Sequence, residues 1–304
     1  VGVRAICREH VSIEVALPSF PPSHPGQFLQ LLCHQEHESP AIVHEWSPGR
    51  TPSLTFGEVL GHQPYLRRPF SIADRLEEEG GRTRLMVISR KVGPGTAWLE
   101  RLRPGDTLNL SGPFGRGFII PDDEVSLVLA GGGVGIPPLL YLTRTLAESQ
   151  RRDVTVILGA TTRDLLPVPI VAEPARDGQA TFCAELAGSV RYAAIVTTDD
   201  GTMGLHGRVT DGLLRWHETR GGRGKRPLVL ACGPHAMLHA VARLTRELKM
   251  DCQLCIEKPM GCGLGTCLSC IARVRDPSRP AGWRWALTCC EGPVFERDLL
   301  VEFQ

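Results

Sequence analysis

The chain has 304 residues, 42% of them hydrophobic and 22% charged, with a formal net charge of +1; that length implies about two domains with room for a small third module. A near-neutral surface with only 6% aromatic residues offers neither the field nor the stacking platforms that nucleic-acid binding needs. No apolar run reaches the roughly eighteen residues of a membrane span and the first residues show no leader pattern, so eleven cysteines point to a reducing, cytoplasmic setting with metal or redox duty for some of them.

Residues 1–118 alternate apolar and polar positions between Pro and Gly punctuation. Strands are expected at Val11–Leu17, Gln27–Leu32, Arg84–Arg90 and Asp106–Leu110, which together make a small antiparallel barrel. Between Cys33 and Tyr65 a polar, Pro-containing stretch carries His34, His37, His44 and His62. Their spacing matches no ligand pattern, so an exposed insertion is expected rather than a metal site. Arg67-Arg68-Pro69-Phe70-Ser71 closes a strand with a cation, a fixed turn, an aromatic face and a hydroxyl. An Arg there can grip a pyrophosphate, Phe70 can lie against a flavin ring and Ser71 can bond a ring nitrogen. Alone, the segment would also suit an edge strand with a surface Arg pair, the weaker of the two readings. It is followed by Val92–Leu99, a glycine turn opening a helix, where the Gly95 amide and Thr96 are placed for a second grip on phosphate.

Residues 119–250 change pattern to alternating apolar strands and helices. Val125–Ala130 runs into Gly131-Gly-Gly133-Val-Gly135-Ile-Pro-Pro138 and an apolar helix to about Gln150. Strand, glycine turn, helix is the context of a dinucleotide fingerprint, with Pro138 in the place of its third Gly, at the first turn of a helix. Further strands are expected at Val154–Ala160, Ala180–Cys183, Ala194–Thr198 and Pro227–Cys232, with helices over Val209–Glu218 and Ala236–Lys249. That is a doubly wound parallel sheet. Cys232-Gly233-Pro234 ends its last strand at the carboxyl edge, where such sheets bind ligands; Cys232 either lines a nicotinamide pocket or is a buried thiol without chemistry.

Residues 251–304 hold Cys262, Cys267 and Cys270 in the spacing C-x4-C-x2-C, with Cys289 at a distance. This is the plant-type arrangement in which four thiolates hold a [2Fe–2S] cluster, and Gly261, Gly263 and Gly265 would supply the positive φ values of a loop wrapped on an inorganic core. A zinc site made from Cys267 and Cys270 with Cys252 and Cys255 is the competing reading. Against it, Cys252 and Cys255 lie in an apolar run that reads as a strand.

With these motifs together, the chain is similar to the ferredoxin-NADP reductase superfamily and, within it, resembles the electron-transfer subunits of type B, NAD-dependent dihydroorotate dehydrogenases. The resemblance runs over nearly the whole chain and rests on Leu66–Ile72, Thr197–Thr202, Ala231–Leu238, Met260–Cys270 and the segment Cys289-Cys-Glu-Gly-Pro-Val-Phe295. It implies a FAD-binding barrel, an NAD-binding α/β domain and a C-terminal [2Fe–2S] module. It also implies FAD at Arg68, Pro69, Phe70, Ser71, Ile88, Ser89, Arg90, Gly95 and Thr96, NAD at Gly133, Gly135, Pro138, Gly233 and Pro234, and Cys232 at the hydride site. Cys289 becomes the fourth ligand because it stands three positions before the Gly of Gly-Pro-Val-Phe. Cys290 is then spare, and this doubled thiol and the long insertion depart from the family pattern. The implied partner is an FMN-containing catalytic subunit, in a heterotetramer of two of each, serving pyrimidine biosynthesis. Electrons would leave dihydroorotate at that FMN, cross the cluster singly and depart from FAD as hydride to NAD, since nicotinamide exchanges electrons only in pairs. Arg163 has Asp164 beside it, which dilutes a 2′-phosphate site and favours NAD over NADP. Two alternatives remain: a diaphorase-type subunit of a hydrogenase, sulfide dehydrogenase or transhydrogenase complex, and a non-catalytic zinc-stabilised scaffold.

Overall fold

The structure, a computed structural model, describes residues 1–34, 66–121, 125–220 and 226–303. His37, His44 and His62 of the insertion lie outside the described residues. The first layer contains β1 (Gly2–Cys7), β2 (His10–Leu17), β3 (Phe28–Leu31), β4 (Arg68–Ser71), β5 (Asp74–Glu77), β6 (Thr83–Arg90), the short helix α1 (Pro94–Glu100) and β7 (Leu110–Phe114). The strands form two antiparallel sheets in the orders β1-β2-β6-β5 and β4-β3-β7. Their period-two alternation sends Ile13, Leu29, Leu31, Leu85 and Val87 into one shared core with Leu99 of α1, each worth about 2 kcal/mol of burial. The strand expected at Asp106–Leu110 begins only at Leu110. Asp106 is used for a turn instead: its carboxylate accepts the Arg103 amide at 2.7 Å and Gly105 takes a left-handed φ of 96°.

The second layer is a sheet of seven strands. Its members are β8 (Leu127–Gly132), β9 (Val154–Ala160), β10 (Ala193–Thr198), β11 (Leu205–His206), β12 (Leu228–Cys232), β13 (Asp251–Cys255) and β16 (Val294–Glu296), in the order β11-β10-β9-β8-β12-β13-β16. All pairs are parallel except β13 with β16. Leu127 and Leu129 pack under α2 (Ile136–Glu148), while Val128 and Ala130 pack on the other face under α3 (Val209–Arg220) and α4 (His235–Glu247). Residues buried on both faces explain the unbroken apolar runs of the sequence. Ala180–Cys183 is not a strand; it contributes a single bridge, Thr181 to Ala194. The boundary expected at 250/251 falls within this sheet, because β13 pairs with β12 and β16 closes the edge. What projects from it is the loop after β13, the hairpin β14 (Ile271–Arg275) with β15 (Trp283–Leu287), and the turn of helix α5 (Thr288–Glu291). No described helix is long and apolar enough to cross a membrane.

Barrel and sheet are joined by a largely buried ion pair. Arg144 of α2 donates Nη2 to Asp74 Oδ2 of β5 at 2.7 Å and Nε to Oδ1, with side chains only 15% and 10% exposed. Tyr141 of the same helix donates to the Ser23 carbonyl at 2.8 Å. Asp74→Ala would strand the guanidinium in the interface, so it should destabilise the fold by about 3 kcal/mol. A urea titration followed by circular dichroism checks this, and an unchanged midpoint would mean that the pair contributes nothing net.

Candidate active site

A cavity of about 1060 Å³ opens where barrel, sheet and the loop after β13 meet. That is the upper end of the range for cofactor sites. From the barrel it is lined by Arg68, Pro69, Phe70, Ser71, Ile88, Arg90, Gly95 and Thr96; from the sheet by Val134, Pro137, Cys232 and Cys255; from the loop by Glu257 and Met260.

Each wall follows from local structure. β4 is an edge strand, which tolerates Pro69 because no ladder donor is lost there. The two arginines divide their duties. Arg67 is tied down, donating to Asn109 Oδ1 at 2.6 Å and to the Gln30 and Asn109 carbonyls, whereas Arg68 stays in the cleft with one bond to the Leu66 carbonyl at 3.3 Å. On β6, Ile88 and Arg90 face the cleft; Ser89 between them is buried and its hydroxyl has no partner among the described residues. Arg90 is paired with Glu9 at 2.9 Å. Thr96 lines the cavity, but its hydroxyl accepts the Val92 and Gly93 amides and donates to the Gly93 carbonyl. It locks the turn that presents Gly95, and is not a free phosphate donor.

On the sheet side, Gly133 holds a left-handed φ of 53°, and a Cβ there would meet nothing within 4 Å. Gly135 is glycine for a different reason. Its α-carbon rests on the end of β12, where a side chain would overlap the Cys232 carbonyl. Pro138 is buried in α2, and Val134 and Pro137 take the cleft positions instead. Gly233 and Pro234 follow Cys232 without lining the cavity, Pro234 standing just before α4. Cys232 lies beside Cys255 in register on β13. That neighbouring thiol and burial together push the Cys232 thiol well above its ordinary range, so it stands in the cleft as a neutral group. Sequence reasoning missed Glu257: desolvation raises its carboxyl, although solvent reaches it through the mouth.

The loop that follows carries the thiols. Gly263 and Gly265 adopt φ of 74° and 87°, but Gly261 does not; the third left-handed residue is Leu268 at 58°. The wrapping aims amides at sulfur: Cys262 Sγ accepts from Leu264 N at 3.3 Å and Cys267 N at 3.4 Å, and Cys270 Sγ from Cys289 N at 3.4 Å. The Ser269 hydroxyl, 3.1 Å away, and nearby amides pull the Cys267 thiol down to about 6, and amides lower Cys262 too. Donors converging on thiolates fit sulfur that is shared with iron. Cys289 is buried with Cys270 against Phe28, while Cys290 is exposed, 3.6 Å from Cys289 Sγ. The zinc alternative fails on strand geometry. Cys252 and Cys255 are three apart on β13 and enter opposite faces of the sheet, Cys252 under α4 and Cys255 toward the cleft. In metal-free protein Cys267 should therefore alkylate fastest, with a rate that is flat above pH 6 and falls about tenfold per unit below it. Cys252, pushed up to about 12 by burial, should not react; pH-resolved iodoacetamide labelling with peptide mapping reads both.

Comparison with known proteins adds to this geometry. Residues 257–301 match the family described as the iron–sulfur cluster binding domain of dihydroorotate dehydrogenase B, and residues 129–243 match an oxidoreductase NAD-binding domain. A "Dihydroorotate dehydrogenase B (NAD(+)), electron transfer subunit" from Desulforamulus reducens is 32% identical over 262 residues, covering 86% of this chain and 89% of that protein. The protein of the same description from Geobacillus kaustophilus is 36% identical, covering 78% and 81%. Among solved structures, an NADH-dependent reduced ferredoxin-NADP oxidoreductase superposes with a TM-score of 0.70 at 23% identity, covering 99% of this chain and 88% of the other. The FAD/NAD-binding domain of a Vibrio cholerae nitric oxide dioxygenase gives 0.51 at 14%, covering 82% and 91%. At those identities the two structures speak for the fold alone.

Proposed function

Since this chain belongs to the family of electron-transfer subunits of NAD-dependent dihydroorotate dehydrogenase B, we propose that its cleft holds FAD between an NAD site and a [2Fe–2S] cluster. Through them the chain carries electrons between an FMN-containing catalytic partner and NAD in pyrimidine biosynthesis. The observation that carries this reading is the shared cavity: Arg68–Ser71, Cys232 and Met260, drawn from three parts of the chain, line one space. A flavin bound there supplies the exchange between hydride pairs and single electrons. Arg68 would hold its pyrophosphate, Phe70 and Ser71 its ring, and neutral Cys232 would pack against the nicotinamide without adding to its ring as a thiolate could. Cys262, Cys267, Cys270 and Cys289 would ligate the irons. Family membership favours the dihydroorotate partner over a diaphorase-type role.

The adenosine end of NAD is supported by Asp200, at the carboxyl ends of β9 and β10. Its carboxylate accepts the Thr202 hydroxyl at 2.6 Å, which in turn accepts the Arg163 amide at 3.0 Å; the Thr202 bond holds Asp200 below its usual range. An anion here suits ribose hydroxyls and repels a 2′-phosphate. Eleven free thiols support a cytoplasmic setting, and a heterotetramer of two of each chain is the assembly we propose.

Anaerobic co-purification with the partner tests the whole reading. It should yield about two irons per chain, bound flavin and dihydroorotate-dependent reduction of NAD; a colourless complex without that activity overturns it.

The partner surface is proposed at the cluster loop. Leu264, Leu268 and Trp285 are 63%, 59% and 53% exposed, and Leu268 keeps its apolar side chain outward despite a left-handed backbone. Leu268→Asp suits that backbone better and should keep the iron content. It should weaken partner binding by about 2 kcal/mol, roughly thirtyfold, as read by sedimentation or interferometry of the anaerobic proteins.

A further inference from the structure

Strand β3 alternates between two environments. Leu29 and Leu31 enter the barrel core, so Phe28 and Gln30 face the other way, toward the loop that carries the thiols. Phe28 packs on Cys270 and Cys289. Gln30 is fully buried, and neither its Nε2 nor its Oε1 has a hydrogen-bond partner among the described residues. Buried amides are almost always paired, and an orphan calls for an explanation. Its neighbour supplies one. Gln30 lies flat against Gly263, where a Cβ would stand 2.7 Å from Nε2, and Gly263 directly follows Cys262. Across the sheet Gln30 is paired with Pro69 of β4, on the wall of the cleft. It therefore stands between the strand that faces the flavin site and the first cluster ligand.

We propose that Gln30 is a positioning residue for the iron–sulfur cluster, its Nε2 donating a hydrogen bond to the sulfur shell held by Cys262. Anionic sulfur gathered beside Gly263 would give the unpartnered Nε2 an acceptor. A donor to cluster sulfur favours the more negative, reduced state, so Gln30 raises the cluster potential and makes the cluster a better acceptor of single electrons. The inference rests on the cluster assignment, which iron content and the EPR signal of the unsubstituted complex test on their own.

The experiment compares the unsubstituted complex with Gln30→Leu and Gln30→Met, in both of which the donor is gone and the volume nearly kept. Cluster potentials are read by EPR-monitored titration, with iron and flavin content measured alongside. The expected result is full iron and flavin loading, altered g-values, and a cluster harder to reduce by about tenfold in the one-electron equilibrium, which is ~59 mV. Unchanged potential and g-values in loaded variants overturn the proposal. Loss of the cluster from both variants with flavin retained would assign Gln30 to loop packing alone, and overturns it as well.

Discussion

Cys267→Ser should leave a yellow protein where the unsubstituted one is brown: flavin retained, iron lost, and electron exchange with the partner reduced to background. Of the four proposed ligands, Cys267 is the most exposed to solvent, its thiol is pulled down to about 6 by the Ser269 hydroxyl and nearby amides, and it sits between the amide-bonded Cys262 and the buried Cys270. Serine preserves the loop but offers a hydroxyl that stays protonated at neutral pH, a poor ligand for soft, thiolate-bound iron. NADH should still reduce the flavin, because Cys232 and the cleft walls are untouched. The same assay divides the doubled thiol. Cys289 is buried against Cys270 and Phe28, so Cys289→Ser should empty the site, whereas Cys290→Ser, at an exposed position, should keep about two irons per chain. Iron retained in Cys289→Ser and lost in Cys290→Ser would reverse the assignment.

Gly135→Val should fail in the complementary way, abolishing exchange with NAD while the cluster remains. A side chain at 135 overlaps the Cys232 carbonyl and the Gly233 amide, neither of which can rotate aside. The glycine turn must then lift from the end of β12, carrying Val134 and Pro137 out of the cleft wall. A displacement near 1 Å costs about a hundredfold in a step that depends on alignment, and overpacking adds about 1–3 kcal/mol of instability. Stopped-flow reduction of the flavin by NADH should slow by at least about a hundredfold, with iron content and partner binding unchanged. Normal hydride transfer in Gly135→Val would mean that this turn does not border the nicotinamide.

The contrast between these two substitutions reflects what a one-dimensional chain can disclose. The thiol spacing, the Arg-Pro-Phe-Ser strand and the glycine turn are local, so their chemistry can be read where it stands. Glu257, Val134 and Pro137 became visible only because the cleft is assembled from segments as far apart in the chain as Arg68 and Glu257. Gln30 reads as an ordinary polar residue of a half-buried strand until the loop at Gly263 is laid over it. Errors of detail share that origin. Asp106 was drawn from strand to turn by its bond to Arg103, Ala180–Cys183 found only one bridging neighbour, and the third left-handed position fell on Leu268 rather than Gly261. At Thr96 and Ser89 the structure adds what residue type alone does not give: the Thr96 hydroxyl is engaged by its own turn, and the Ser89 hydroxyl is buried.

The thiol-bearing excursion leaves the large sheet through β13 and returns to it through β16, which lie side by side. Its anchorage is therefore on the nucleotide layer, and the barrel packs against it through Phe28 and Gln30. Because both ends of the excursion are held by neighbouring strands, the thiols are fixed relative to the large sheet, and the Arg144–Asp74 pair that ties the barrel to that sheet also helps to fix their distance from the Arg68–Ser71 wall.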